Sequence, residues 1–285
     1  MNFTAENHQY LAERLASVVA HKPPVRLRAS SVGDLFDCPD RWIAVHIEGL
    51  RVAQNFRATM GTAIHAGTAY FDTEVLNGQT PSLMAATECT AETLRNSEED
   101  TVWDMKRDQA ESIAVALTHK YCTQESPKHH FTAVEKTCES LVLSDVGIEL
   151  TGSVDRIREV GNKHGPADLK SGVQAVNSEG QAKTQAHAPQ LGVYSLLGEV
   201  STGKPMELPS LVIGMQTAKT RENQRIASTE VHGVREVLLG DDTRPGLLFN
   251  AALMIHGVIP PYGNPRSMLC HQKFCPRFNN CFWRK

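Results

Sequence analysis

No stretch of this sequence stays apolar for the roughly 20 residues a membrane-spanning helix needs, and there is no internal repeat or low-complexity tract. Aromatic residues are scarce, at 6%. Excess charge of either sign is nearly absent: 29 Lys and Arg face 32 Asp and Glu, a net charge of −3. The charge balance therefore does not point to nucleic acid, and it does not exclude it, because local fields matter more than the mean. With 41% hydrophobic and 21% charged residues, the chain is neither a disordered acidic polymer nor a coiled coil. The opening MNFTAENHQYLAERLASVVA lacks the basic start and apolar centre of a secretion signal, so a reducing, cytoplasmic compartment is expected. Disulfides are then not expected among the seven cysteines.

What is present falls into zones. The 285 residues fit one large domain or two small ones, and no linker is visible, so one domain is expected. Residues 1–125 read as mainly helical, 126–257 as an α/β core and 258–285 as a Cys-rich, irregular tail. Helices are expected over 3–20, from a cap at Ser30 or Ser31 to about Gly49, from Gly61 to Asn77, and over 82–96 and 101–123. Strands are expected over 131–143 and 148–160, joined as a hairpin through Ser144–Gly147, and over 166–170 and 208–217. Further helices are expected over 187–200 and 241–256. Two short segments are basic and free of acid: Lys22, Arg26 and Arg28, then Lys273, Arg277, Arg284 and Lys285. Alone, both read as solvated surface.

Several residues carry chemistry. Asp168 and Lys170 lie at i and i+2 of a strand and project to one face. If strand 148–160 pairs with it, Asp155 of GSVDRI shares that face. Two carboxylates and a lysine suit phosphodiester hydrolysis. Carboxylates hold Mg²⁺ or Mn²⁺, and a lysine can orient water or stabilise developing charge. Gln190 and Tyr194 share a helix face at i and i+4. His65 sits in GTAIHAG, whose small residues permit close approach, and imidazole is a good Mn²⁺ ligand. Glu135 reads as a supporting residue on the first strand. Cys270, Cys275 and Cys281 have ligand-like spacing, but three thiolates leave a tetrahedral site one ligand short. The stretch GEVSTGKP nearly matches a phosphate-binding loop, but Pro205 stands where Ser or Thr would bind Mg²⁺, and a helix end is expected there.

In order, Cys38, His65, Asp155, Asp168-x-Lys170, Gln190-x-x-x-Tyr194 and the three C-terminal cysteines resemble the iron–sulfur branch of the RecB-like nucleases. That branch lies in the PD-(D/E)XK superfamily and includes the AddB nuclease domain and the CRISPR-associated adaptation nucleases. The resemblance runs from about Ser31 to Cys281. It implies a restriction-endonuclease-like mixed sheet flanked by helices. It implies that His65, Asp155, Asp168 and the Leu169 carbonyl ligate Mg²⁺ or Mn²⁺, that Lys170 is catalytic, and that Gln190 and Tyr194 support the site and contact DNA. Cys38 would join Cys270, Cys275 and Cys281 around a [4Fe-4S] cluster.

Two positions depart from the pattern. Asp168 stands where many members have Glu, and four residues separate Cys270 from Cys275 where a tighter pair is common. The second departure keeps zinc open, with His271 replacing Cys38. The expected activity is a metal-dependent DNA exonuclease acting on single strands or duplex ends, in recombination, repair or phage or CRISPR-type processing. Candidate protein partners are a recombinase, a helicase or a single-strand-binding protein. The alternative is a non-catalytic nucleic-acid-binding or scaffold protein with structural zinc or iron–sulfur.

Overall fold

The computed structural model describes residues 5–51, 55–97, 101–241 and 243–284. Residues 3 and 4 of the first expected helix and Lys285 of the basic tail lie outside the described residues. In chain order the elements are α1 (Ala5–Val19), β1 (Val25–Arg28), α2 (Val32–Asp37), α3 (Pro39–His46), α4 (Phe56–Leu76), α5 (Leu83–Arg95) and α6 (Arg107–Gln124). There follow β2 (Phe131–Thr137), β3 (Leu141–Leu143), β4 (Ile148–Thr151), β5 (Ser153–Val160), β6 (Lys163–Gly172), α7 (Ala188–Thr202), β7 (Ser210–Gln216) and β8 (Ile226–Val231). Then come α8 (Val234–Leu239), β9 (Gly240–Asp241), β10 (Arg244–Pro245) and α9 (Leu247–Ile255).

A five-stranded sheet, in the order β2-β5-β6-β7-β8, is the frame. Its one parallel pair is β6 with β7, and α7 makes the crossover that such a pair requires. Alternation along β7 divides the interior. Leu211, Ile213 and Met215 pack with Met60, Ile64, Ile113 and Leu117 of α4 and α6. Val212 packs in the other cluster with Leu191, Val193 and Leu197 of α7. Both faces are thus covered, and β7 is apolar almost throughout. Polar caps start the helices on the first face: Asn55 Oδ1 accepts from Arg57 N at 2.9 Å, and Ser82 Oγ from Ala85 N at 3.2 Å. Gly67 lets α4 cross α5, since a Cβ there would lie 1.9 Å from Thr90 Oγ1.

Several expectations need correction. The 131–143 run is two strands in two sheets. β2 pairs antiparallel with β5, while β3 joins β4 and β1 in a separate three-stranded sheet. The hairpin through Gly147 exists, but it links only β3 to β4. The helix expected from Ser30 to Gly49 is broken at Cys38 (φ −151°, ψ 90°), because Pro39 opens a new helix and its ring disfavours helical backbone in the residue before it. The segment expected as one helix over 241–256 begins with the β9–β10 pair, and α9 starts at Leu247. β1, β8 and α8 were not expected; each is six residues or shorter. GEVSTGKP is the end of α7, closed by Gly203 at φ +66°.

Candidate active site and cysteine cavity

Four elements deliver the acidic site. His65 stands on α4, Glu135 on β2, Asp155 on β5, and Asp168 and Lys170 on β6. The pairs Val134–Arg156 and Lys136–Val154 flank Glu135 and set it opposite Asp155 across the β2–β5 ladder. His65, Glu135 and Asp155 each offer a ligand atom within 4.8 Å of the others. His65 Nδ1 lies 3.6 Å from Asp155 Oδ2 and 3.9 Å from Glu135 Oε1. Its Nε2 lies 3.1 Å from the Leu169 carbonyl. The tautomer with a proton on Nε2 satisfies that carbonyl and leaves the Nδ1 lone pair facing the carboxylates, the usual arrangement for a ligating histidine. Asp155 Oδ2 accepts from Leu169 N at 2.8 Å, which ties β5 to β6 at the site.

Lys170 Nζ lies 2.9 and 2.7 Å from the two oxygens of Asp168. The expected alternation therefore brings them together. Gln190 Nε2 reaches Tyr194 Oη at 2.8 Å and Asp168 Oδ1 at 3.4 Å, so the i, i+4 pair backs the buried acid. Gly61 brings α4 against the strand end, where a Cβ would meet Ser171 Oγ at 3.0 Å. Glu135 needs the clearest revision. Sequence reading makes it a supporting residue, yet its carboxylate sits inside the donor group. Its backbone lies at φ +45°, which no periodicity announces.

The electrostatics favour a cation. Burial pushes the Asp168 carboxyl up to about 6; Lys170 opposes the rise and Asp155 adds to it. Burial and then Asp155 raise Glu135. Burial and then the neighbouring carboxylates raise Tyr194. Burial, helped by Lys170, lowers His187 to about 4, so this histidine beside the lysine is neutral. A divalent ion would offset both the burial and the neighbouring charge that raise Asp168 and Glu135. Carboxylate oxygens with one imidazole form a donor set that suits Mg²⁺ or Mn²⁺.

The second assembly is a cavity lined by Cys38, Cys270, Cys275 and Cys281, with Asp40, Arg41, Asn264 and Phe278. Chain positions 38 and 270 meet because the break before α3 turns Cys38 toward the tail. Asn264 N donates to Cys38 Sγ at 3.4 Å, and Asp40 N to the Tyr262 carbonyl at 3.1 Å. Arg41 donates to the Phe274 carbonyl at 2.8 Å and to Asp34 at 3.2 Å. Arg277 bridges Asp40 and Glu48, and Ser267 donates to Asp37. His271 does not line the cavity; its Nδ1 accepts from Lys273 N, and its ring lies beside Phe274 and Phe278.

The family model of the PD-(D/E)XK nuclease superfamily matches residues 26–281. The chain belongs to the PD-(D/E)XK nuclease superfamily. A search of curated proteins returns no match. The mixed sheet with flanking helices is consistent with a PD-(D/E)XK fold, and membership makes the chain a metal-dependent nuclease at the level of the superfamily. No helix among the described residues is long and apolar enough to cross a membrane.

Proposed function

We propose that this PD-(D/E)XK protein is a DNA exonuclease of the RecB-like iron–sulfur type, folded as one domain over residues 1–285. The observation that carries the reading is the convergence of His65, Glu135 and Asp155 beside the Asp168–Lys170 pair. His65, Glu135, Asp155 and Asp168 would hold Mg²⁺ or Mn²⁺, which lowers the pKa of water and offsets charge on the phosphate. The Leu169 carbonyl would add a further ligand; it lies 3.1 Å from His65 Nε2. Lys170 is half-buried at the strand end and can donate to the attacking water or to a phosphate oxygen, as an oriented cation does best in a partly dry site. Gln190 and Tyr194 keep Asp168 facing it.

DNA has a cationic approach at the same end of the sheet. Thr217 N donates to the Gly172 carbonyl at 3.0 Å, so the β7–β8 turn hangs two residues beyond Lys170. That turn carries Lys219 and Arg221, and Arg221 and Lys120 line a groove with His119, Gln124 and Ser112. Backbone contacts of this kind position a strand without reading its sequence.

The cysteine cavity suits a [4Fe-4S] cluster. Four cysteines line the cavity and His271 does not, a donor set of four thiols that fits a [4Fe-4S] cluster and would also fit zinc. The cluster would serve structurally. Recombination, repair or phage or CRISPR-type processing would supply the substrate, with a helicase, recombinase or single-strand-binding protein as partner.

The test uses anaerobically purified protein on end-labelled linear DNA and on covalently closed circles, with Mn²⁺ or Mg²⁺. Linear DNA degraded from its ends, circles left intact, and loss of cleavage in Asp168→Ala are expected. Cleaved circles would replace the exonuclease with an endonuclease. Cleavage that survives Asp168→Ala would remove the site.

A further inference from the structure

Asp72 takes no direct part in the donor group, yet it is one of the best-satisfied acids in the chain. It is 2% exposed on α4 and accepts from Tyr121 Oη at 2.7 Å, Ser126 Oγ at 2.6 Å and Arg156 Nε at 2.6 Å. Arg156 is fully buried, its guanidinium lies 6.0 Å over the Phe131 ring, and its remaining hydrogen bonds run toward the metal donors. Nη1 lies 3.0 Å from Glu135 Oε1 and donates at 2.7 Å to the Asp155 carbonyl. Nη2 lies 3.3 Å from Thr68 Oγ1, and that hydroxyl shares its proton between the Ile64 carbonyl at 2.9 Å and the His65 carbonyl at 3.0 Å. One guanidinium thus touches Glu135 at its carboxylate, Asp155 at its backbone and His65 through one hydroxyl.

Glu135 depends on this contact most. Its side chain is 41% exposed and its backbone lies in the left-handed region, which a residue with a side chain enters at a cost. A half-exposed glutamate on a strained backbone has many conformers open to it. A rigid five-donor fork, itself pinned by Asp72, selects the one that faces His65 and Asp155.

We propose that the Asp72–Arg156 pair is a positioning device that seats Glu135 among the metal donors, so that affinity for the divalent ion is set by an acid outside the site. The proposal rests on the reading of His65, Glu135 and Asp155 as a metal centre. A buried ion pair that served folding alone would give a different pattern of effects: loss of stability with the site unchanged.

The test is equilibrium Mn²⁺ binding to the full chain without DNA, followed by the electron paramagnetic resonance of free Mn²⁺, with thermal unfolding in parallel. Asp72→Asn keeps the shape and removes the charge that holds Arg156. It should weaken Mn²⁺ binding about 10- to 100-fold, the usual loss when a group supporting a metal ligand is removed. Glu135→Gln should lose a similar factor, and the double variant little more than either alone. Tyr121→Phe removes one bond to Asp72 but leaves its charge and Arg156 in place. It should lower the melting temperature and leave Mn²⁺ affinity within about twofold, well under the loss expected for a supporting group.

If Asp72→Asn does not fold, Glu135→Asp is the second variant. It is one methylene too short to keep Arg156 and its donor position together, and it should lose the same affinity with an unchanged melting temperature. Wild-type affinity in a folded Asp72→Asn or in Glu135→Asp, or fully additive losses in the double variant, would overturn the proposal. A wild type that binds no Mn²⁺ would remove the metal centre and this proposal with it.

Discussion

The carboxylate site and the cysteine cavity both gather residues from distant parts of the chain, but by different means. The carboxylates stand on β2, β5 and β6, and His65 stands on a 21-residue helix that packs across them. Sheet register and the packing of α4 hold the donors, and the buried Asp72–Arg156 pair ties them together. The cysteines instead lie at a helix break and in a tail of turns, joined by polar contacts such as Arg277–Asp40 and Arg277–Glu48. Partly exposed ion pairs of this type contribute little, about 0–1 kcal/mol each. On the proposed reading, the first region would keep its fold without a cation, whereas the second would rely on a group held by its cysteines.

The largest effect that would break this contrast is on stability. A cluster would cross-link positions 38 and 270, and closing so long a loop constrains the unfolded chain by about 5 kcal/mol or slightly more. At about 2–4 °C per kcal/mol for a domain near this size, Cys275→Ser should lower the anaerobic melting temperature by roughly 10 °C. Asp155→Asn should move it by no more than about 2 °C, the scale of an ordinary substitution. Equal shifts in differential scanning calorimetry would erase the difference between the two regions.

A smaller effect concerns DNA. Replacing Lys219 and Arg221 by alanine should reduce the slope of log affinity against log salt by roughly 0.7–0.9 for each phosphate that is no longer neutralised. Fluorescence anisotropy of a labelled oligonucleotide would measure it, in EDTA to prevent cleavage. An unchanged slope would place the strand elsewhere.

The smallest effect belongs to the scaffold behind the carboxylates. Glu125 closes α6, and although burial pushes its carboxyl up, hydrogen bonds from His129, Lys128 and Ser228 outweigh this and hold it down at about 2. A depressed folded pKa gives stability that is complete above the unfolded value, about 4.3, and lost as pH falls through about 2. In urea titrations the advantage of wild type over Glu125→Gln should therefore be constant from pH 7 to about 5 and shrink below about 4.3. An advantage that stays constant down to pH 3 would show that the carboxylate charge contributes nothing.

Much of the site was legible because it follows local periods. Asp168 and Lys170 alternate on a strand, and Gln190 and Tyr194 stack on a helix. The four cysteines line one cavity, although positions 38 and 270 are far apart in the chain. Glu135 was not legible. In a stretch reading TAVEKT it looks like an ordinary edge glutamate, and only its backbone turn and Arg156 direct it inward. Asp72 and Arg156 lie 84 residues apart, and neither belongs to a motif that names its partner. The run 131–143 was misread because its apolar content continues past Thr137, while the chain leaves β2 there and enters another sheet. Short elements such as β1 and α8 carry too few residues to show a period.

The most direct test of the carboxylate–lysine site is single-turnover cleavage of end-labelled DNA by wild type and Lys170→Ala, with and without Mn²⁺, and with DNA binding measured on the same preparations. Cleavage should depend on Mn²⁺ and fall at least about 10²–10³-fold in the variant, the scale for removal of one oriented charge-stabilising donor, while DNA affinity stays near wild type. Cleavage by Lys170→Ala at the wild-type rate, or wild-type cleavage that persists in EDTA, would contradict a metal-dependent site built around this lysine.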